Sequence, residues 1–202
     1  MDTWRKQEKA ASGKTVTQSK RNSLFLGLLG LILLLAADQL TKWLAYRILR
    51  PQGPVVLLPG IFELHYLENQ GAAFGMMENM QWIFILFALL MCAAALVCYI
   101  RLPMEHRFRP LRILCVTLAA GALGNMIDRI VHRYVIDFLY FSLIDFPIFN
   151  VADIYVCVST GILLLLLLFV YKDEDFQILM GKKTKQEYFR DIQKKIEESR
   201  EK

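Results

Sequence analysis

The chain has 202 residues, a length that suits one domain, and 55% of them are hydrophobic. No soluble basic fold accompanies the net charge of +5, so we exclude nucleic-acid binding and interpret the charge as a sign of membrane topology and attraction to anionic lipid. The four cysteines and three histidines lack metal-ligand spacing, so we expect no metal and no cofactor.

Apolar residues are concentrated in four blocks. Three of them, 82–100, 111–127 and 154–171, approach the roughly 17–25 residues that span a bilayer. The fourth, 24–37, is short, but apolar character resumes beyond Asp38. A cleavable signal peptide is the alternative there, and the long polar leader and the three later spans argue against it. The sequence therefore predicts an all-α membrane protein with four transmembrane helices.

Most of the 24 Lys and Arg residues lie in three regions: the leader 1–23, the loop 101–112 and the tail 172–202. With four spans, these regions fall on one side of the membrane, and the positive-inside rule makes that side the cytoplasm. We expect a disordered or surface-bound leader, a membrane domain over 24–171, and a charged tail whose spaced apolar residues predict an amphipathic surface helix.

The first span carries Asp38, Thr41 and Lys42 on one helix face, at spacings of three and four. An Asp that precedes a Lys by four residues is the favourable order for an ion pair. We prefer a structural role for this pair, which would fasten the helix to its neighbours, over a direct role in chemistry.

The segment 50–80 alternates loosely around Pro59-Gly60, which predicts short strands rather than helix. Such strands would form a small extracytoplasmic β platform beside the bilayer. The segment ends in 69–74, where small residues follow Asn69 and Gln70. These residues suit either close approach of the backbone to a ligand or a plain structural turn.

Small residues at 119–124 give the third span a face for close helix packing. Its last turns become polar on one stripe, which contains Gly121, Asn125, Asp128, Arg129 and His132. A short outer segment, 135–141, then predicts extended or partly helical structure before the fourth span. Such backbone at membrane depth has to be buried in protein or line a cavity.

Carboxylates from separate segments, Asp128, Asp137 and Asp153, thus fall near the outer ends of the last two spans. Two carboxylates held close in a poorly solvated site share a proton, as in aspartic proteases. Intramembrane carboxylates also serve proton-coupled transporters. The residues alone leave an aspartic peptidase, a proton-linked carrier and a structural or assembly protein open, although no inverted repeat supports a carrier.

Four stretches in order, 38–42, 69–74, 121–138 and 149–153, resemble the lipoprotein signal peptidase (type II signal peptidase) family. The resemblance covers about residues 24–171, and the stretches are highly specific as a set. It departs from the family at Ala120 and at Arg133-Tyr134, where Gly is more usual. Both departures concern packing or the turn into the next segment rather than the chemistry.

The resemblance implies an aspartic endopeptidase that cleaves prolipoproteins on the N-terminal side of a diacylglyceryl-modified cysteine. Its catalytic residues would be Asp137 and Asp153. The supporting residues that it implies are Asp38, Lys42, Asn69, Gly71, Asn125, Asp128, Arg129, Asn150 and Ala152. It further implies a multi-pass protein of the bacterial inner membrane, in contact with lipid, with its site near the extracytoplasmic face. We expect a monomer.

Asp137 and Asp128 compete as partners for Asp153. Asp128 lies beside Arg129 and within reach of Lys42, so opposite charge should keep it ionised. Asp137 has no adjacent cation, and burial should raise its pKa into the range where it exchanges protons near neutral pH. We therefore expect the carboxyl oxygens of Asp137 and Asp153 within roughly 3–6 Å of each other.

Overall fold

The structure is a computed structural model that describes residues 2–71 and 80–179 and a few residues of the tail between 189 and 199, with backbone alone for 2–17. The helices are α1 (Asp2–Gln52), α2 (Gln81–Arg101), α3 (Arg109–His132), α4 (Val151–Leu165) and α5 (Asp173–Leu179). The strands are β1 (Val55–Leu58), β2 (Phe62–Asn69) and β3 (Val135–Tyr140).

Among the described residues, four helical segments are long and apolar enough to cross a membrane, which confirms the predicted spans. They are Gln18–Gln52, Gln81–Arg101, His106–His132 and Val151–Val170. Helix α3 packs against α1, α2 and α4 and is the centre of the bundle. Large apolar side chains face outward, for example Phe87 at 65% and Phe169 at 78% exposed. Such exposure suits a hydrocarbon solvent rather than water.

The polar leader is helical, which contradicts the disordered alternative and leaves the surface-bound one a prediction. The sequence predicts a disordered or surface-bound segment before residue 24, because no apolar periodicity is present. The structure instead extends the backbone of α1 as helix to Asp2. At its other end, α1 tolerates Pro51 in the last turn and stops at Gly53, whose φ of 83° only glycine adopts readily.

The predicted strand pair is present, and the structure adds a third strand. Strands β1 and β2 are antiparallel and joined by Pro59-Gly60, where Gly60 has a φ of 68° and the amide of Ile61 donates to the carbonyl of Leu58 at 3.0 Å. The segment expected to be extended or partly helical contributes β3, which pairs with β2 to give the order β1-β2-β3. The fold is therefore helical with a three-stranded sheet rather than all-α.

Strand pairing brings distant polar residues together at this sheet end of the bundle. Asn69 pairs with Val135, so it lies diagonally from Asp137 on the same face of the sheet. Backbone bonds between Leu139 and Phe149, at 2.8 and 3.0 Å, return the chain to β3 just before α4. The turn into β3 uses Arg133 with a φ of 70°, a left-handed conformation that explains why glycine suits this position.

The opposite end of the bundle, where a loop joins α2 to α3, is called the loop end. There Arg107 forms a bidentate ion pair with Asp175 of α5, with both contacts at 2.6 Å, and Phe108 stacks on Tyr171. Ile178 and Leu179 pack on the same buried cluster. The predicted tail helix is thus present over α5, whereas Tyr188, also assigned to it, lies outside the described residues.

Candidate active site

The site is built around the first turn of α4. Asn150 is its N-cap: the Asn150 side chain accepts from the amide of Asp153 at 3.0 Å, and the Asp153 carboxylate accepts from the amide of Asn150 at 3.1 Å. This reciprocal arrangement is a capping box, which satisfies two amides that a helix start leaves free. It also fixes the position of the Asp153 carboxylate.

Asp137 projects from β3 and is 1% exposed. Its two oxygens accept from amide groups on different elements, Asn69 at 2.7 Å and Asn150 at 2.6 Å. Burial, and next the charge of Asp153, raise the pKa of Asp137 from 3.8 to about 7, while the two amide donors offset part of the rise. The group can therefore hold or release a proton near neutral pH.

Asn125 of α3 joins the two carboxylates to the rest of the bundle. Its amide nitrogen donates to Asp153 at 2.7 Å. Its amide oxygen accepts from Asn150 at 3.1 Å and from the ammonium of Lys42 at 2.9 Å. Because every one of these contacts uses a defined end of the amide, the side chain of Asn125 has one orientation that satisfies all of them.

A buried ion cluster lies on the other side of Asn125. The ammonium of Lys42, 1% exposed, is 3.0 Å from carboxylate oxygens of both Asp38 and Asp128. The predicted ion pair of α1 is thus confirmed, and it has a second carboxylate. Gln39 completes the cluster, donating to Asp38 at 3.2 Å and to Asp128 at 3.1 Å.

Asp38 also holds the start of α4. Its carboxylate accepts from the amide of Ala152 at 2.9 Å, and both residues are fully buried. Helix α3 packs closely against α1 and α4 because it has glycine at two of the contact positions. A Cβ on Gly124 would overlap the Asp38 carboxylate, and one on Gly121 would lie 2.6 Å from the carbonyl oxygen of Ala152.

Arg129 lies at the edge of the site. Its guanidinium donates to the carbonyl oxygens of Gly71 at 3.3 Å and Asn125 at 3.4 Å, and it is 4.6 Å from the ring centre of Phe84. Its Nε is buried without a partner among the described residues. The amide of Gly71 donates to the side chain of Asn69 at 2.9 Å, so the chain turns just after β2.

A cavity of about 550 Å³ opens in front of the two carboxylates. Its polar corner contains Asn69, Asn125, Arg129, Asp137 and Asp153. Its apolar walls come from α2 and α4, for example from Phe87 and Cys157. The cavity thus has one polar corner, at the carboxylates, and otherwise apolar walls.

The structure brings all of the sequence-predicted site residues to this sheet end of the bundle, in two connected layers. Asp137, Asp153, Asn69, Asn125 and Arg129 line the cavity, together with Gly71. Asp38, Lys42, Asp128 and Ala152 lie behind it, and Asn150 joins the layers. His132, placed on the same polar stripe by its spacing, is exposed and stacks on Tyr134 instead.

Sequence reasoning gave no role to two residues that the site uses. Gln39 donates to the carboxylates of Asp38 and Asp128. It belongs to the stretch 38–42, which carries the family resemblance, so its position in the sequence could have indicated a role. Phe84 sits in a span predicted to be a structural wall, and nothing in that apolar run distinguishes it. The stretch 72–74, part of the predicted turn, lies outside the described residues.

Fold and site together define a class: a multi-pass membrane protein with a buried cluster of carboxylates and amides opening into a cavity between its spans. The sequence profile of the signal peptidase II (SPase II) family matches residues 30–169. The chain belongs to the signal peptidase II family. Membership identifies a protease, in preference to the carrier and assembly alternatives that the residues alone left open.

Individual relatives agree with this assignment. The lipoprotein signal peptidase of Symbiobacterium thermophilum is 44% identical over 141 residues, which cover 69% of this chain and 91% of that protein. The lipoprotein signal peptidase of Streptococcus pyogenes serotype M1 is 39% identical over 150 residues, which cover 73% and 94%.

Solved structures agree as well. Two structures of bacterial membrane enzymes, each 25% identical in sequence, have TM-scores of 0.63 and 0.62. The first covers 72% of this chain and 94% of its own, and the second covers 71% and 87%.

Lys42→Met tests the buried ion cluster. Removal of the ammonium leaves two buried carboxylates without their cation, so we expect a loss of about 3–5 kcal/mol in the free energy of unfolding. The measurement is denaturant unfolding in detergent, together with turnover per folded molecule, which should remain partly intact.

Arg50→Met is the matched control on the same helix, because Arg50 makes an exposed contact with Glu68 at 3.5 Å and its removal should leave stability nearly unchanged. Adding Asp38→Asn and Asp128→Asn to Lys42→Met should recover part of the stability. If Lys42→Met folds normally and turnover vanishes, Lys42 takes part in the chemistry and the structural role is wrong.

Proposed function

We propose that this protein is an aspartic endopeptidase that removes signal peptides from prolipoproteins, cleaving on the N-terminal side of a diacylglyceryl-modified cysteine. The observation that carries the proposal is the pair Asp137 and Asp153 at one cavity. They are joined through Asn150, which donates to Asp137 and caps the helix that carries Asp153. Family membership and the names of the relatives support the substrate class.

The proposed reaction needs one proton shared by two carboxylates. The Asp153 carboxylate takes a proton from water, and the water oxygen attacks the scissile carbonyl carbon. Asp137, protonated below about pH 7, donates its proton to the carbonyl oxygen. The resulting gem-diol collapses when one hydroxyl proton returns to a carboxylate and the leaving nitrogen gains a proton, so the C–N bond breaks and both carboxylates are reset.

The contacts of Asp128 argue against this role. Its carboxylate oxygens accept from Lys42, from Gln39 and from the backbone amide of Ile136 at 3.2 Å. Three donors already occupy the carboxylate, which is not among the groups lining the cavity, so Asp128 is a poor partner for Asp153. Asp128 also anchors β3 through Ile136, which stands next to Asp137 in the chain.

Binding of the substrate would use the rest of the cavity. Asn69 and Arg129 face it with amide and guanidinium donors suited to peptide carbonyls. The apolar walls suit a signal helix and the acyl chains of the modified cysteine. Only the scissile peptide would need to reach the polar corner, so the remainder stays in a hydrocarbon environment.

We propose that the sheet end faces away from the cytoplasm, since the Lys and Arg residues cluster at the loop end and the termini. In a variant without native cysteines, replacements at the exposed Gln52 and Leu143 should react with a membrane-impermeant maleimide in intact cells. Replacement at Glu105 of the α2–α3 loop should react only after lysis. Labelling of Glu105→Cys in intact cells would reverse the orientation.

Asp137→Asn should lower turnover by about 10³-fold or more in well-folded protein, because it removes the proton donor of the pair. Asp128→Asn should instead lower thermal stability, since Lys42 and Ile136 lose a charged partner. The measurement is conversion of a diacylglyceryl-modified prolipoprotein to its mature size by purified protein, with folded protein quantified by size exclusion.

The two substitutions are matched, since each replaces one buried Asp by Asn. Equal loss of turnover in two well-folded variants would contradict the division of roles. If wild type gives no mature product and matches Asp153→Asn, the proposed function itself is wrong.

The pH dependence follows from the raised pKa of Asp137. Below about pH 7 the Asp137 carboxyl holds a proton and can donate it. Above that pH the proton is lost, so kcat/KM should fall about tenfold for each further pH unit. Asn69→Ala removes a donor that favours the charged form, which raises the pKa further and moves the fall to higher pH. A fall displaced to lower pH, or a flat profile to pH 9, would contradict this assignment.

A further inference from the structure

A second cavity, of about 400 Å³, lies between α1 and α2 with α3 as its floor, and we call it the α1–α2 groove. It shares no lining residue with the cavity of the candidate active site. Its walls are apolar along their length, with Leu28 and Leu31 from α1, Ala95 and Leu96 from α2, and Val116 and Ala119 from α3. The proposed reaction uses no residue of this groove.

Polar contacts close the loop end of the groove. The hydroxyl of Tyr99 donates to the carbonyl oxygen of Ser23 at 2.5 Å and lies 3.0 Å from the Ser23 hydroxyl. The Tyr99 ring rests on Gly27, where any Cβ would overlap it. Tyrosine with an apolar body and a bonded hydroxyl is typical of the boundary between hydrocarbon and headgroups. The groove therefore begins at that boundary and runs into the hydrocarbon layer.

Exposed basic residues surround this boundary. Lys20 and Arg21 precede Ser23 on α1, and Arg101 follows Tyr99 on α2. Residues 18–36 and 92–101 contain no carboxylate that could neutralise them locally. Basic side chains at this depth attract the phosphate of an anionic lipid.

We propose that the α1–α2 groove binds an acyl chain of an anionic phospholipid, whose phosphate is held by Lys20, Arg21 and Arg101. The size of the groove favours a chain over a helix. From Leu24 to Leu31 it extends about 10 Å at the rise of an α-helix, less than two helical turns, so a flexible chain matches its length whereas a membrane-spanning helix would extend well beyond it. The bound lipid fills the space between α1 and α2 below the Ser23–Tyr99 contact.

Native mass spectrometry of the full chain in detergent tests the site, with dioleoylphosphatidylglycerol and dioleoylphosphatidylcholine as probes that share their acyl chains. Wild type should retain the first phosphatidylglycerol at about tenfold lower lipid concentration than phosphatidylcholine. Combined replacement of the three basic residues, Lys20→Gln, Arg21→Gln and Arg101→Gln, should abolish this preference. Arg47→Gln, exposed at the sheet end of α1, is the matched control and should keep it.

Two further measurements distinguish binding of lipid in the groove from general attraction of an anionic lipid to basic residues. Ala95→Phe fills the groove and should weaken retention of both lipids. In wild type, phosphatidylglycerol should slow alkylation of Cys92 and Cys115, which line the groove, by N-ethylmaleimide. Cys98, exposed on α2 outside both cavities, should be unaffected and serves as the internal control.

Equal retention of the two lipids by wild type would overturn the headgroup assignment. Equal slowing of Cys92 and Cys98 would overturn the groove as the site. Protection of Cys92 and Cys115 by a polyleucine helix peptide but not by phosphatidylglycerol would make a helix the occupant. None of these measurements depends on proteolysis, so their failure is distinguishable from failure of the proposed function.

Discussion

The arrangement of this protein depends on one buried amide, Asn150. A helix that begins at membrane depth has free backbone amides and no water to satisfy them, so α4 needs a cap supplied by the protein. Asn150 provides it and uses its remaining donors on Asp137 and Asn125. The residue that starts the last span thus also fixes the distance between strand β3 and helix α4. The contacts that cap α4 are therefore also contacts of the candidate site.

The buried carboxylates fall into two groups, according to whether a cation contacts them. Two of the buried carboxylates, Asp38 and Asp128, share the ammonium of Lys42, so each has a cation 3.0 Å away inside the bundle. Asp137 accepts from the neutral amides of Asn69 and Asn150, while burial and then the charge of Asp153 raise the pKa of Asp137. Asn125 touches both groups, because it accepts from Lys42 and donates to Asp153. The ion cluster therefore orients the site without neutralising Asp137 directly.

Sequence was sufficient for features that depend on neighbours along the chain. Hydropathy predicted the four spans, Pro59-Gly60 predicted the turn between strands, and the spacing of Asp38 and Lys42 predicted their ion pair. It was insufficient where contacts join distant segments. The third strand depends on pairing of β3 with β2, whose register then places Asn69 beside Asp137, 68 positions away.

Local composition also misled where tertiary context or backbone geometry decides. The leader lacks apolar periodicity, yet its backbone continues the helix of α1. The resemblance led us to expect a glycine at Arg133-Tyr134, and Arg133 has a φ of 70°, so a left-handed turn forms here with an arginine. For a non-glycine residue such a conformation costs about 1–2 kcal/mol, which the pairing of β3 has to offset. Sequence marked the unusual residue but gave no indication that the turn would persist.

Hydrocarbon as a solvent explains why the cavity has two chemically distinct parts. A cavity lined entirely by polar groups would be costly between spans, because its polar atoms would lie in a hydrocarbon environment. A cavity lined entirely by apolar groups could hold neither water nor an ionisable side chain. Here the polar groups are confined to the corner where the sheet, α3 and α4 meet, while α2 and α4 supply apolar walls. The burial that raises the pKa of Asp137 is a product of that geometry. In the proposed reaction, the same confinement would keep the acyl chains of the substrate in an apolar environment and admit water only at the peptide bond to be broken.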